Sequence, residues 1–250
     1  RGTESLVFFS ILAGASFGVG FPSCMAFLAD STTADERGRV SGLVVLVTFV
    51  FVFLSMLVNS ALGFPSGIGY ASQPIGLILT SVGVKVVGFL SFLFDPLKKK
   101  EITVRPWRGI LDLRDFGLYT IVYVFFNIAA GLVAFIWAGL PASPEYESIA
   151  RVGNSIRYVG LGIFGVVAGA VADRVGRKKP IMLGLVMLGA GYSIIGLITN
   201  PTTYFVNLLL SGFAWGIIMV IYLVVPGDLA FPGSEERFYT AGWVLPLVLY

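Results

Sequence analysis

Apolar residues run through this chain in long unbroken stretches. They fall at about Ser5 to Ala29, Val40 to Gly63, Ile68 to Phe94, Leu118 to Leu140, Ile149 to Ala172, Pro180 to Ile198 and Thr203 to Val225, and another begins near Ala241. A helix rises about 1.5 Å per residue, so about twenty apolar residues match the hydrocarbon core of a bilayer. Each stretch is therefore expected to be a transmembrane helix. Barrel strands would need about ten residues in strict alternation, and the runs do not alternate.

The polar positions between the runs support the same reading. Arg37, Arg39, Lys98, Lys99, Lys100, Arg105, Arg108, Arg114, Arg174, Arg177, Lys178, Lys179 and Arg237 all fall in alternate loops. The intervening stretches Gly63 to Gly67 and Thr199 to Thr202 carry no charge, and Pro141 to Ser148 carries only Glu145 and Glu147. Basic loops face the cytoplasm in membrane proteins. This predicts Ser5 outside and the Asp173 to Lys179 turn inside. The longest connection, Asp95 to Gly117, is basic, and within it Gly109 to Phe116 is expected to form a short helix on the membrane surface. Its charge suits a linker between two bundles as well as contact with anionic lipid.

Composition sharpens the class. With 56% apolar and 12% charged residues over 250 positions and a mean hydropathy of +0.89, the chain is expected to be an integral, multi-pass membrane protein. Its 17 basic and 14 acidic residues leave a net charge of +3, which carries no case for a nucleic-acid partner. Histidine is absent and Cys24 is the one cysteine, so no disulfide, metal site or cofactor is proposed. Arg1 stands where an initiator methionine would, and Val244 to Tyr250 stops within an apolar run. A piece of a longer protein is expected.

An internal repeat follows. Gly14, Gly18, Asp30, Glu36, Arg37 and Gly42 reappear as Gly212, Gly216, Asp228, Glu236, Arg237 and Gly242, with the same spacing from first glycine to aspartate. Both copies run from the outer to the inner side, so they are parallel repeats.

The stretch Gly169-Ala-Val-Ala-Asp173-Arg174-Val-Gly176-Arg177-Lys178-Lys179 lies between two apolar runs on the basic side. Its pattern, Gly-x-x-x-Asp-Arg-x-Gly-Arg-Lys, resembles the signature loop of the major facilitator superfamily of secondary transporters. That resemblance implies an all-α, polytopic transmembrane helical bundle: an incomplete twelve-helix fold with two pseudo-symmetric six-helix halves. Residues 1–94 would be the last part of the N-terminal bundle, about its fourth to sixth helices. Residues 95–117 would be the cytoplasmic linker, and 118–250 the C-terminal bundle from the seventh helix to the start of the eleventh. In the family this loop gates the cytoplasmic side, which assigns that role to Gly169, Asp173, Arg174, Gly176, Arg177 and Lys178. A carboxylate at Asp173 near the start of the Val40 helix would gain about 0.3 to 1 kcal/mol from the helix dipole, and Arg37 or Glu36 would extend the network. Gly165 and Gly169 share a helix face and would admit a close neighbour.

Polar side chains are costly inside a bilayer, so their stripes point to a pathway or to contacts between helices. Tyr119, Tyr123 and Asn127 form one stripe, Thr48, Ser55 and Asn59 a second, Tyr204, Asn207, Ser211, Trp215 and Tyr222 a third, and Asn154 with Arg157 a fourth. The candidate substrate pathway is Asn59, Tyr123, Asn127, Asn154, Arg157, Ser211, Trp215, Tyr222 and Lys85. Arg157 either faces an anionic group or snorkels to the outer interface. Lys85, nine residues before Phe94, lies about 13 Å from the inner helix end. All 14 acidic residues fall in loops or at helix ends, so this chain offers no carboxylate at mid-membrane to carry a proton.

The expected function is a secondary active or facilitative transporter, not an enzyme, moving a small solute by alternating access. The solute is taken as anionic or zwitterionic, and a proton or sodium ion is left open as the coupling ion. A prokaryotic plasma membrane is the expected location. The alternatives are a seven-helix receptor or retinal-type protein, with Lys85 as the Schiff-base residue, and a polytopic membrane enzyme. Against them stand the long linker, the parallel repeat and the lack of paired interior acids or histidine.

Overall fold

The computed structural model describes residues 3–61, 114–139 and 143–248. The third apolar run with Lys85, and the linker up to residue 113, lie outside the described residues, as does the side chain of Asn59. Among the described residues the regular structure is helical throughout. The helices are α1 (Thr3–Ser31), α2 (Arg37–Ala61), α3 (Arg114–Ala138), α4 (Pro144–Val175), α5 (Lys178–Leu197), α6 (Pro201–Leu229) and α7 (Glu235–Val248). Five of these, α2 to α6, are long and apolar enough to cross a membrane, over Arg37–Leu54, Arg114–Trp137, Pro144–Val175, Lys178–Leu197 and Pro201–Leu229.

Local chemistry sets the helix ends. Ser143, in extended conformation, accepts the Tyr146 N–H at 3.5 Å, and Pro144 follows at the first helical position, where its missing N–H is no loss. This starts α4 several residues before the apolar run. Asn200 and Thr203 form a reciprocal capping box at the start of α6, with bonds of 2.9 and 3.1 Å. At its other end α6 continues through Pro226 to Leu229, past the end of the apolar run at Val225. Two expectations are corrected. Arg114 to Phe116 belong to α3, not to a surface helix, and α7 begins at Glu235, not near Ala241. In both cases a charged segment is continuous with the apolar helix that follows it, because hydrophobicity marks only the apolar run while backbone hydrogen bonding carries the helix beyond it.

At the centre lies α6, with Ala214, Ile218, Val220 and Val224 wholly buried. α4 and α5 pack along it, α2 packs along α4, and α1 packs against α7. Outward faces are apolar, as at Phe125, Phe135 and Val186. In a bilayer such faces meet lipid, so their exposure carries no cost.

Candidate functional site

The site forms where α1, α2, α4, α5 and α6 end or begin together. Gly176 has φ +86°, in the left-handed region that favours glycine, and its N–H bonds Ala172 O at 3.1 Å. The reversal is so tight that only Gly176 and Arg177 separate α4 from α5. Arg177 is thereby turned back toward Asp173, one helical turn earlier, at 2.7 Å.

Asp173 is buried, with 4% of its side chain exposed. Its carboxylate accepts the N–H groups of Gly38 at 2.9 Å and Arg39 at 2.8 Å. These are donors of the first turn of α2, which no helical carbonyl can satisfy. Arg177 spreads over three acceptors: Nη1 to Asp173, Nε to Asp228 at 2.8 Å and Nη2 to the Ala34 carbonyl at 2.6 Å. Asp228, at the end of α6, also accepts from Arg37 Nη1 at 2.6 Å, and Arg37 Nη2 reaches the Ala29 carbonyl at 3.0 Å. The result is a closed ring running from the α2 N-terminus through Asp173, Arg177, Asp228 and Arg37 back to α2. Its charges balance. Burial works against the Arg177 charge, but hydrogen bonds to Asp228 and then Asp173 outweigh it, so its pKa is raised above the ordinary arginine value. Arg39 is peripheral, 63% exposed and 3.4 Å from Asp173.

Beneath the ring α2 and α4 touch backbone to backbone. A Cβ on Gly42 would stand 2.8 Å from the Gly165 carbonyl oxygen, and one on Gly169 would collide with the Gly38 carbonyl. The paired glycines bring the two helix axes close and hold Asp173 within reach of the α2 amides.

One layer further along the bundle lies an aromatic cluster. Tyr123 is 4.3 Å from Tyr222 and 5.5 Å from Trp243, Phe126 is 4.6 Å from Trp215, and Phe21 of α1 is 4.6 Å from Trp243 of α7, all between ring centroids. The cluster also repairs the backbone of α6. Pro226 has no N–H to give the Tyr222 carbonyl. That carbonyl instead accepts from Tyr119 Oη and Trp243 Nε1, each at 3.3 Å. Tyr239 Oη donates to the next carbonyl, Leu223, at 2.7 Å.

Toward the other end of the bundle, Arg157 of α4 lies with Cζ 5.0 Å from the centroid of the Trp137 ring. Trp137 Nε1 donates to Asn207 Oδ1 at 3.1 Å, and Asn207 Nδ2 donates to the Gly191 carbonyl at 2.9 Å. A Cβ at Gly212 would come within 2.8 Å of the Arg157 stem.

The remaining candidates are dispersed. Arg174 and Lys178 are exposed and stand outside the ring. Glu36 accepts the Thr33 N–H at 3.1 Å and so stabilises its own turn. Glu236 accepts from Ser23 at 2.7 Å, which links α7 to α1. Asp30 is exposed and Arg237 half-buried. Asn127 and Ser211 bond carbonyls of their own helices, Tyr123 at 2.8 Å and Leu208 at 3.1 Å. Tyr222 is buried with no hydrogen-bond partner for its hydroxyl, and Asn154 is half-buried. Absent from the sequence reading were the Ala34 carbonyl and Trp137. A backbone acceptor leaves no trace in sequence, whereas a tryptophan at the end of an apolar run is a usable sign. Among the described residues no group of three or more acidic, cysteine or histidine side chains could hold a metal.

The family model described as Major Facilitator Superfamily matches residues 2–244. A relative in Paramagnetospirillum magneticum, the magnetosome protein MamH, is 24% identical over 240 residues, which cover 87% of this chain and 50% of that protein. The citrate-proton symporter of Salmonella typhi is 30% identical over 115 residues, covering 40% of this chain and 25% of the symporter. The multidrug resistance protein MdtH of Shigella boydii is 45% identical over 53 residues, 21% of this chain and 12% of that protein. The chain thus spans half or less of the length of each relative.

Proposed function

Because this chain belongs to the major facilitator superfamily, we propose that it forms part of a transporter that moves a small solute across a membrane by alternating access. Residues 1–94 and 118–250 act as parts of two halves joined by the linker 95–117, and the basic loops face the cytoplasm of a prokaryotic cell. The observation that carries the reading is the ring of Asp173, Arg177, Asp228 and Arg37. It joins α1 and α2, before the linker, to α4, α5 and α6, after it.

Such a ring works as a latch. Breaking it separates paired charges that are mostly shielded from water, and each charge-assisted hydrogen bond contributes about 1.5 to 3 kcal/mol. Opening on the solute's arrival requires binding energy that differs between the two states by a comparable amount. The state described is the one closed at the basic end, with the aromatic cluster as a second barrier behind the charges. The names of the citrate-proton symporter and of MdtH suit a small-solute cargo. We take the cargo to be anionic or zwitterionic, with a proton or sodium ion as coupling partner.

Uptake into proteoliposomes by the intact protein tests the latch. Asp173→Asn keeps the shape but removes the charge that holds Arg177 and the α2 amides. Transport is expected to fall by about tenfold, the equivalent of about 1.4 kcal/mol, while the variant inserts at the normal level. Unchanged uptake would remove the ring from the mechanism.

A further inference from the structure

We propose that Arg157 is the anchor for a carboxylate group of the transported solute, in a site made with Trp137 and Asn207. The proposal rests on the transport reading above and names the chemistry of its cargo.

Arg157 lies thirteen residues into α4, beyond the acidic first turn. Its Nε is buried with no hydrogen-bond partner. The surroundings are aromatic: the Trp137 ring lies under the guanidinium, and Tyr158, Tyr192 and Tyr204 stand within electrostatic reach. Among the described residues no carboxylate stands at this depth, the acids of α4 lying in its first turn at Glu145 and Glu147 and near its far end at Asp173. An arginine stays charged, and a cation in the interior of a membrane bundle without an anion is costly. A cation–π contact offsets this only in part. The geometry also argues against plain snorkelling. The guanidinium rests on a ring whose Nε1 is fixed to Asn207, itself wholly buried and bonded to α5. Gly212 lets α6 close on Arg157, where a Cβ would stand 2.8 Å from both the arginine Cγ and its backbone carbonyl oxygen. This repeated glycine therefore has a local purpose.

A planar carboxylate suits this arrangement. The guanidinium fork offers it parallel donors, and the aromatic rings can lie along the hydrocarbon part of an organic acid. Inorganic phosphate shares the charge but has no apolar part to place there.

The experiment is ligand-induced thermal stabilisation of the intact protein in detergent, titrated with citrate, benzoate, acetate and inorganic phosphate. Wild-type protein is expected to be stabilised by at least one carboxylate and not by phosphate. Arg157→Gln should bind that carboxylate at least about tenfold more weakly, as loss of a charged hydrogen bond implies. Arg157→Lys should fall between the two. Gly212→Ala, which crowds the Arg157 stem and backbone alike, should weaken binding as well, and Arg157→Lys serves as the second variant if Arg157→Gln does not fold. Binding needs no transport cycle, so failure of the transport reading would show instead as wild-type protein that binds the carboxylate but does not move it. The proposal is overturned if no carboxylate stabilises wild-type protein, if phosphate alone does, or if folded Arg157→Gln responds as wild type does.

Discussion

Arg177 makes three hydrogen bonds to three separate chain segments: Asp173 on α4, Asp228 on α6 and the carbonyl of Ala34 between α1 and α2. A lysine ammonium is a point charge on a flexible stem and cannot satisfy three acceptors in these directions. Arg177→Lys is expected to lower stability by about 2 kcal/mol, measured by thermal unfolding in detergent. Arg39→Lys, at an exposed and longer contact with Asp173, should change stability by less than about 0.5 kcal/mol. Equal effects would mean that the ring is no more than surface charge. Charges are conspicuous in so apolar a chain, which is why Asp173, Arg177, Arg37 and Asp228 could all be picked out from sequence. The approach of Asp173 to the start of α2 was legible too, but the place of Asp228 between Arg37 and Arg177 was not, because nothing in the sequence sets an aspartate of one repeat against an arginine of the other. Asn127 and Ser211 show the opposite limit: polar residues at helical spacing whose side chains bond their own helix.

Helices α2 and α4 meet through glycine, and α6 carries a proline inside it. Gly169→Val would drive a branched side chain into the Gly38 carbonyl and push Asp173 away from the α2 amides. Transport should fall as far as in Asp173→Asn, about tenfold, with the protein still inserted. Gly189→Val, on α5 with open space around it, should leave uptake near normal. If both variants transported alike, the close approach of α2 and α4 would have no bearing on function. At this scale the sequence revealed the five long apolar helices α2 to α6, since hydrophobicity sets them. It did not reveal that α4 begins at Pro144 or α7 at Glu235, where capping and backbone hydrogen bonds extend a helix into polar sequence. Nor did it show that Pro226 sits within α6, because the side chains that replace its missing hydrogen bond come from α3 and α7.

For the whole molecule, the helices before residue 62 are joined to those after residue 113 by the charge ring, by Ser23 with Glu236 and by Phe21 with Trp243. The repeat makes this arrangement intelligible: Arg37 of the first copy meets Asp228 of the second, so each copy contributes one partner across the boundary. The central claim is that this ring holds the basic end closed, and a distance measurement across it is the most direct test. Spin labels at Asp35, in the turn before α2, and Lys179, at the start of α5, are both on exposed positions, with Cys24 replaced by serine to leave the labels alone. In membranes a short, narrow distance distribution is expected for the otherwise wild-type protein and a shift to longer distances in Asp173→Asn. The same short distribution in both proteins would contradict that claim.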